Sequence, residues 1–137
     1  MKYYAVIDTN VIVSAMIKNN SVPGSILELT LDGPIVPLYN EDVLAEYRTV
    51  LLRKKFHLTE EIVDTIIGRM IESGLNIEAE PLDLVFNDPT DLKFYEIVME
   101  HRKEHDSLLV TGNLKHYPNE PFVVTPRQML EIILETN

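Results

Sequence analysis

The sequence predicts an α/β fold of three layers, α/β/α, with a mainly parallel sheet at its centre. Short apolar runs typical of buried strands alternate with segments whose apolar residues recur at helical spacing. Clusters of Gly, Pro, Asn and Asp separate these segments, as turns do. Strands that alternate with helices form a parallel sheet covered on both faces. The length of 137 residues fits one domain, predicted over residues 1–137.

The first half of the chain begins with a strand and then alternates. Apolar runs from Tyr3 to Ile7 and from Ile35 to Tyr39 are bounded by polar residues, as buried strands are. Capping residues followed by apolar residues at helical spacing predict four helices. In the last of these helices, Ile62, Ile66 and Met70 are expected to face the core. The four helices are predicted at 11–18, from a cap at 21 to 31, at 41 to about 55, and from a cap at 59 to a stop at Gly74.

The second half repeats the alternation with shorter strands. Asp88 and Pro89 begin a helix, because Asp is a common N-cap and Pro is favoured at the first helical position. Thr125 and Pro126 begin a closing helix through Leu130, Ile133 and Leu134 in the same way. Strands are predicted at 75–77, 107–111 and 122–124.

Polar side chains follow two of the predicted strands. Asp8, Thr9 and Asn10 follow the first strand, and Thr111 and Asn113 follow a later one. The carboxyl ends of parallel strands converge on one crevice, where open α/β sheets bind ligands. Asp8 is therefore either a site residue or a helix cap. Three consecutive cap-competent residues leave at least one side chain free for a site.

The helix start at Asp88 carries a second acid, Asp91. Asp88 as cap and Asp91 in the third helical position form a carboxylate variant of the capping box, so structure alone could explain both. Asp91, Tyr95 and Val98 nevertheless share one helical face, which places Asp91 on the packed side. An acid that faces inward needs a partner or a metal ion.

Glu46 lies on the border of the apolar face of the mid-chain helix. That position allows it to reach a cleft, and it equally allows a solvated salt bridge near Arg48. The end of this helix holds the only dense basic stretch, with Arg48, Arg53 and Lys54. These residues either contact a phosphate backbone or stabilise the C-terminus of the helix.

Composition narrows the classes of function. The chain contains no cysteine, which excludes disulfides and thiolate metal sites and is compatible with a cytoplasmic protein. No signal-peptide pattern and no apolar stretch of transmembrane length is present, so no membrane association is expected. The formal net charge of −10 argues against diffuse binding to nucleic acid. A polyanionic substrate would need local positive charge, and a divalent cation held by Asp and Glu would supply it.

Taken together, these motifs resemble the PIN domain family, and in particular the ribonuclease toxins of toxin–antitoxin pairs. The resemblance covers nearly the whole chain. It rests on the segment from Val6 to Val11, on Glu46, on Asp88-Pro89-Thr90-Asp91, and on the segment from Leu109 to Asn113. It implies a compact, Rossmann-like α/β/α domain whose acids gather at one end of a parallel sheet.

The resemblance also implies a catalytic site. By position, Asp8, Glu46 and Asp91 match the family's three acids, which hold Mg²⁺ or Mn²⁺ for the cleavage of single-stranded RNA. Asn113 stands where many members carry a fourth aspartate, and an amide is a weaker ligand for a hard cation. Thr9, Asn10, Asp88 and Thr111 are the expected supporting residues. An antitoxin partner and a homodimer are further implications of the family.

The chemistry of phosphodiester cleavage is consistent with this interpretation. Water must be deprotonated at neutral pH and charge on the phosphate must be stabilised, and carboxylate-held divalent ions do both. The alternative is a non-catalytic, cation-binding α/β module similar to a receiver domain. Receiver domains usually carry adjacent acids after the first strand and a lysine after a late strand. Here Tyr3-Tyr4 precedes Asp8, and Asn113 follows Thr111. These differences disfavour the alternative.

Overall fold

The computed structural model describes residues 1–136 and confirms the three-layer α/β/α fold. Five parallel strands lie in the order β3-β2-β1-β4-β5, and six α-helices flank them in this part of the chain. The strands are β1 (Tyr3–Ile7), β2 (Ile35–Tyr39), β3 (Leu75–Asn76), β4 (Leu108–Val110) and β5 (Val123–Val124). The helices are α1 (Thr9–Ile17), α2 (Val22–Asp32), α3 (Glu41–Leu51), α4 (Glu60–Ser73), α5 (Pro89–His101) and α6 (Pro126–Glu135).

The strand order places a topological switch point beside β1. The chain runs from β1 outward to β2 and β3, and α5 then carries it back to β4 on the other side of β1. Connections that leave β1 and β4 in opposite directions open a crevice beyond their carboxyl ends. The prediction of a single domain over 1–137 stays a prediction, and its last residue lies outside the described part.

The core lies on both faces of β1, β2 and β4. Helix α5 packs on these three strands, while α2 packs on β2 and on α1, α4 and α6. Ala5, Val6, Leu38 and Leu109 are completely buried. Strands covered on both faces read as continuous apolar runs, which is why the sequence shows them without alternation.

Helix α3 is shorter than predicted. It ends at Leu51 rather than near Lys55, because the backbone N–H of Leu52 is shared between the carbonyls of Arg48 and Val50 and the helical ladder stops there. A short 3-10 helix (Lys54–Phe56) follows and closes at His57, whose φ of 55° is left-handed. The predicted basic residues therefore lie on different elements: Arg48 is in α3, Arg53 precedes the 3-10 helix and Lys54 begins it.

The prediction for helix α4 was wrong at one residue, Ile62. Its exposed fraction is 44%, and Val63 is buried in its place. Ile62 precedes Val63 by one residue, so its side chain is turned by about 100° from the buried face. Ile66 and Met70 face the core as predicted. Leu134 of α6 is also exposed, at 66%. Among residues 1–136, no helix is both long and apolar enough to cross a membrane.

Candidate functional site

Asp8 joins the end of β1 to the start of α1. Its backbone N–H donates to the carbonyl of Val110, which continues the β1–β4 pairing, and its side chain is 3% exposed. The carboxylate divides its two oxygens between two tasks. Oδ1 accepts from the backbone N–H of Asn10 at 3.1 Å and caps α1, while Oδ2 accepts from Thr111 Oγ1 at 2.9 Å and from the Tyr117 hydroxyl at 3.0 Å. The cap therefore uses only one of the two oxygens.

Asp91 reaches the same cluster from the start of α5. Asp88 caps this helix by accepting from the backbone N–H of Thr90 at 2.9 Å, and Pro89 occupies the first turn. Asp91 is 7% exposed, so its carboxylate faces inward as predicted. One oxygen, Oδ1, accepts from the Tyr117 hydroxyl at 3.3 Å, and Oδ2 lies 3.4 Å from Nδ1 of His116. Helix α5 thus aims Asp91 at Asp8 instead of using it as a cap.

Tyr117 lies between the two aspartates. Burial raises the pKa of its phenol far above the ordinary value, and the nearby charges of Asp8 and Asp91 raise it further, so the hydroxyl stays protonated. One phenol carries one proton and can donate to only one carboxylate at a time. The carboxylates of Asp8 and Asp91 therefore share a single phenol proton, and a bound cation would compensate their remaining negative charge.

Burial, together with the crowding of acids around Tyr117, raises the pKa of Asp91. Burial, the charge of Asp8 and the charge of Asp88 together raise the pKa of Asp91 to about 6, although His116 and the Tyr117 hydroxyl act in the opposite direction. Carboxylates with raised pKa values are typical of clefts that bind metals or perform chemistry.

Glu46 brings the third acid to the same place from α3. It is half-buried, and Thr9 Oγ1 donates to its Oε2 at 3.5 Å. Beneath it, the buried Tyr47 hydroxyl donates to the carbonyl of Ile7 at 2.5 Å and so ties α3 to the end of β1. Burial raises the pKa of Tyr47, with smaller contributions from Asp8 and Glu46.

The three predicted acids line one small polar pocket of about 160 Å³. Four acids and one arginine contribute to its wall, which favours the binding of a cation. The lining residues are Asp8, Thr9, Asn10, Glu46, Val50, Arg53, Asp88, Thr90, Asp91 and Phe94. Size does not mark the site, because a larger cavity, about 880 Å³, lies between α1, α2 and α4 and contains none of these acids.

The structure does not bring every predicted residue to this pocket. Thr111 supports Asp8 from outside it, and Arg48 pairs with Asp64 at 2.9 Å and with Glu60 at 3.6 Å on the surface of α4. Lys54 lies on the 3-10 helix and does not line the pocket, whereas Arg53 does. Asn113, the predicted fourth ligand, instead caps a second 3-10 helix (Leu114–His116). Of the three predicted basic residues, Arg53 alone lines the pocket with the acids.

The donor set suits a hydrated, hard divalent cation. In the described residues, no three acidic or histidine side chains lie close enough to hold one ion directly. Mg²⁺ usually retains several waters and binds proteins through one or two carboxylates, so a pair of aspartates is sufficient. Asp8 and Asp91, which share the Tyr117 hydroxyl, would hold the ion, and Glu46 is the third acid of the same pocket.

Two neighbours of these acids, His116 and Tyr117, were not anticipated as site residues. His116 is the last residue of the second 3-10 helix and Tyr117 directly follows it, and both lie beside Asp91. A tyrosine in an irregular segment has no periodic spacing that would predict its direction. The only available signal was its position shortly after the polar end of a strand.

Comparisons with known proteins agree with this architecture. Residues 4–115 match a family model described as the PIN domain. The uncharacterized protein MJ1680 of Methanocaldococcus jannaschii is 28% identical over 116 residues, which span 82% of this chain and 72% of that protein. The crystal structure of PAE2754 from Pyrobaculum aerophilum superposes with a TM-score of 0.58 at 13% identity, over 98% of this chain and 91% of that one, and this likeness concerns the fold alone. The chain belongs to the PIN domain family, which generally comprises metal-dependent nucleases.

Proposed function

We propose that this protein is a Mg²⁺- or Mn²⁺-dependent endoribonuclease that cleaves single-stranded or structured RNA. One observation carries the proposal: Asp8, Glu46 and Asp91 come from three separate elements and line one polar pocket at the switch point of the sheet. Membership of a nuclease family favours catalysis over the alternative of a receiver-like, cation-binding module.

The residues of the pocket divide the work of hydrolysis. A divalent ion would, when bound, lower the pKa of a water molecule and stabilise charge on the phosphate. Asp8 and Asp91 would hold that ion, because both are buried and accept hydrogen bonds that fix their positions. Thr9 orients Glu46, whose half-exposed carboxylate is available to accept a proton from water. Arg53 contributes the positive charge that meets the RNA backbone at the rim.

The biological setting is part of the same proposal. We infer that the protein is the toxin of a toxin–antitoxin pair in the cytoplasm, with an antitoxin protein as its partner and a homodimer as its working form. The support is the motif resemblance, together with the cavity of about 880 Å³ between α1, α2 and α4, a largely apolar groove that a partner could cover.

Cleavage of a labelled RNA, with and without EDTA, tests the proposal. Cleavage is expected with Mg²⁺ or Mn²⁺, and it should disappear with EDTA or in the Asp8→Asn and Asp91→Asn variants. Asp83→Asn is the matched control, because it neutralises an exposed loop carboxylate and should retain activity. Cleavage that survives both EDTA and Asp8→Asn would overturn the metal assignment. Cleavage of DNA but not RNA would overturn the substrate.

Arg53 and Arg48 provide a test of the RNA path. The structure places Arg53 on the pocket and Arg48 in ion pairs with α4. Arg53→Gln should therefore weaken RNA binding to the Asp8→Asn protein and flatten its salt dependence, since one phosphate contact is lost. Arg48→Gln should leave RNA binding nearly unchanged. Equal losses in both variants would contradict this path.

A further inference from the structure

A chain of polar contacts leads from the end of β4 to Asp91. The backbone N–H of Asn113 donates to Thr111 Oγ1 at 3.1 Å, and the Oδ1 of Asn113 accepts from the backbone N–H of Lys115 at 3.2 Å. The Nδ2 of Asn113 lies 3.0 Å from Nε2 of His116, and Nδ1 of His116 lies 3.4 Å from Oδ2 of Asp91. Every member of this chain lies outside the pocket lining except Asp91.

The order of donors in this chain determines which nitrogen of His116 carries hydrogen. The backbone N–H of Lys115 can only donate, so the amide oxygen of Asn113 faces it and the NH₂ group faces His116. An amide NH₂ can only donate as well, so Nε2 of a neutral imidazole must accept. The imidazole hydrogen is then on Nδ1, the nitrogen that lies 3.4 Å from Oδ2 of Asp91.

We propose that His116, oriented by Asn113, is a positioning residue that holds the Asp91 carboxylate for metal binding. The proposal rests on the metal-dependent function proposed above. The Tyr117 hydroxyl lies 3.3 Å from Oδ1 of Asp91 and Nδ1 of His116 lies 3.4 Å from Oδ2, so each carboxylate oxygen has a donor group beside it. Outer partners of this kind orient ligating carboxylates, and their removal typically lowers metal affinity by about 10–100-fold. The asparagine that replaces the family's fourth acid thus acts through His116 instead of binding metal.

Three variants separate this role from general support. His116→Asn places its amide near the Nδ1 position and retains a donor toward Asp91, whereas His116→Gln places its amide near the Nε2 position and does not. Asn113→Ser retains an oxygen acceptor for the N–H of Lys115 but loses the NH₂ group that faces His116. His105→Asn is the control histidine, because His105 follows the opposite end of α5 and stacks on His101.

The experiment has two readouts. Long-range ¹H–¹⁵N spectra of the metal-free protein at pH about 8, where an ordinary histidine is neutral, report the tautomer directly. His116 should show hydrogen on Nδ1, and Asn113→Ser should shift it toward Nε2. Calorimetric titration with Mn²⁺ should give wild-type affinity within about twofold for His116→Asn and His105→Asn, and affinity lower by about tenfold or more for His116→Gln. The Mn²⁺ affinity of the Asn113→Ser variant should lie between these two values.

The outcomes distinguish this inference from the proposed function. Wild-type Mn²⁺ binding together with equal affinity in His116→Gln would overturn the positioning role and leave the metal site intact. A spectrum with hydrogen on Nε2 in the wild-type protein would overturn the donor order. Absence of Mn²⁺ binding to the wild-type protein would overturn the proposed metal site itself, and the positioning role with it.

Discussion

Asp91 combines a helix-start position with a buried, crowded carboxylate. Its raised pKa, about 6, means that the folded protein disfavours the ionised form. The unfolded carboxyl ionises near pH 4, so without metal the free energy of unfolding should fall between pH about 4 and about 6 and then level off. Asp91→Asn removes this penalty. In EDTA we expect it to stabilise the protein by about 1–2 kcal/mol above pH 6, allowing for screening at the pocket mouth, and by nothing below pH 4.

Urea titrations across this pH range measure the difference. Asp83→Asn, in an exposed loop, should give a flat difference over the same range. Saturating Mg²⁺ should reverse the sign for Asp91→Asn, because the wild-type carboxylate then gains a cation that the amide binds poorly. A gain that does not depend on pH would show that the Asp91 charge is not the cause.

Tyr117 supplies one proton to two buried acids. Tyr117→Phe removes it, and without metal the loss of unfolding free energy should be about 1–3 kcal/mol, because acceptors in the cluster lose their donor. Saturating Mn²⁺ should reduce this loss, since the cation engages the same oxygens. Tyr39→Phe is the matched control: its hydroxyl donates to the Ile71 carbonyl at 3.1 Å, away from the acids, so its loss should not depend on metal. Thermal melts with EDTA and with Mn²⁺ compare the two variants.

Two glycines, Gly68 inside α4 and Gly74 directly after it, have opposite surroundings. A Cβ added at Gly74, where the chain turns into β3, would lie 2.2 Å from the Pro37 carbonyl oxygen and 2.8 Å from that of Met70. Gly74→Ala should therefore destabilise the protein by about 1–3 kcal/mol, because β3 must move away from β2. Gly68 lies inside the helix with nothing within 4 Å of such a Cβ, so Gly68→Ala should stabilise it by about 0.5–1 kcal/mol. Chemical denaturation of both variants checks the pair, and a loss in Gly68→Ala would contradict this packing.

Self-association of the molecule depends on two features. The formal net charge is −10, and a largely apolar groove lies between α1, α2 and α4. Like charges oppose self-association at low ionic strength, and salt screens that repulsion. If the predicted homodimer forms through this groove, the dimer fraction should rise with salt. Ile17→Glu should abolish it, because Ile17 lines the groove and is 68% exposed. Light scattering of wild-type protein that gives the monomer mass at high concentration and high salt would count against the dimer.

Local sequence patterns were sufficient to predict the strands, most helix starts and the inward-facing acids Asp8 and Asp91. These features are local: buried strands are apolar throughout, and caps such as Asp88 and Thr125 act on the next few residues. The prediction that Ile62 faces the core was wrong, because apolar residues occur on two neighbouring faces of α4 and only the face that carries Val63 is buried. The end of α3 could not be predicted because a shared hydrogen bond at Leu52, and no breaker residue, stops it.

The contacts between residues distant in the sequence depend on the tertiary structure. Strand order β3-β2-β1-β4-β5 brings Thr111 to Asp8 across the sheet, and the return of α5 brings Asp91 beside them. The same packing directs Arg53 to the pocket and commits Arg48 to Asp64. Tyr117 acquires its two partners, Asp8 and Asp91, only because the segment after β4 folds back under those strand ends. Such contacts join residues far apart in the chain, and no spacing along the sequence encodes the direction in which an irregular segment turns.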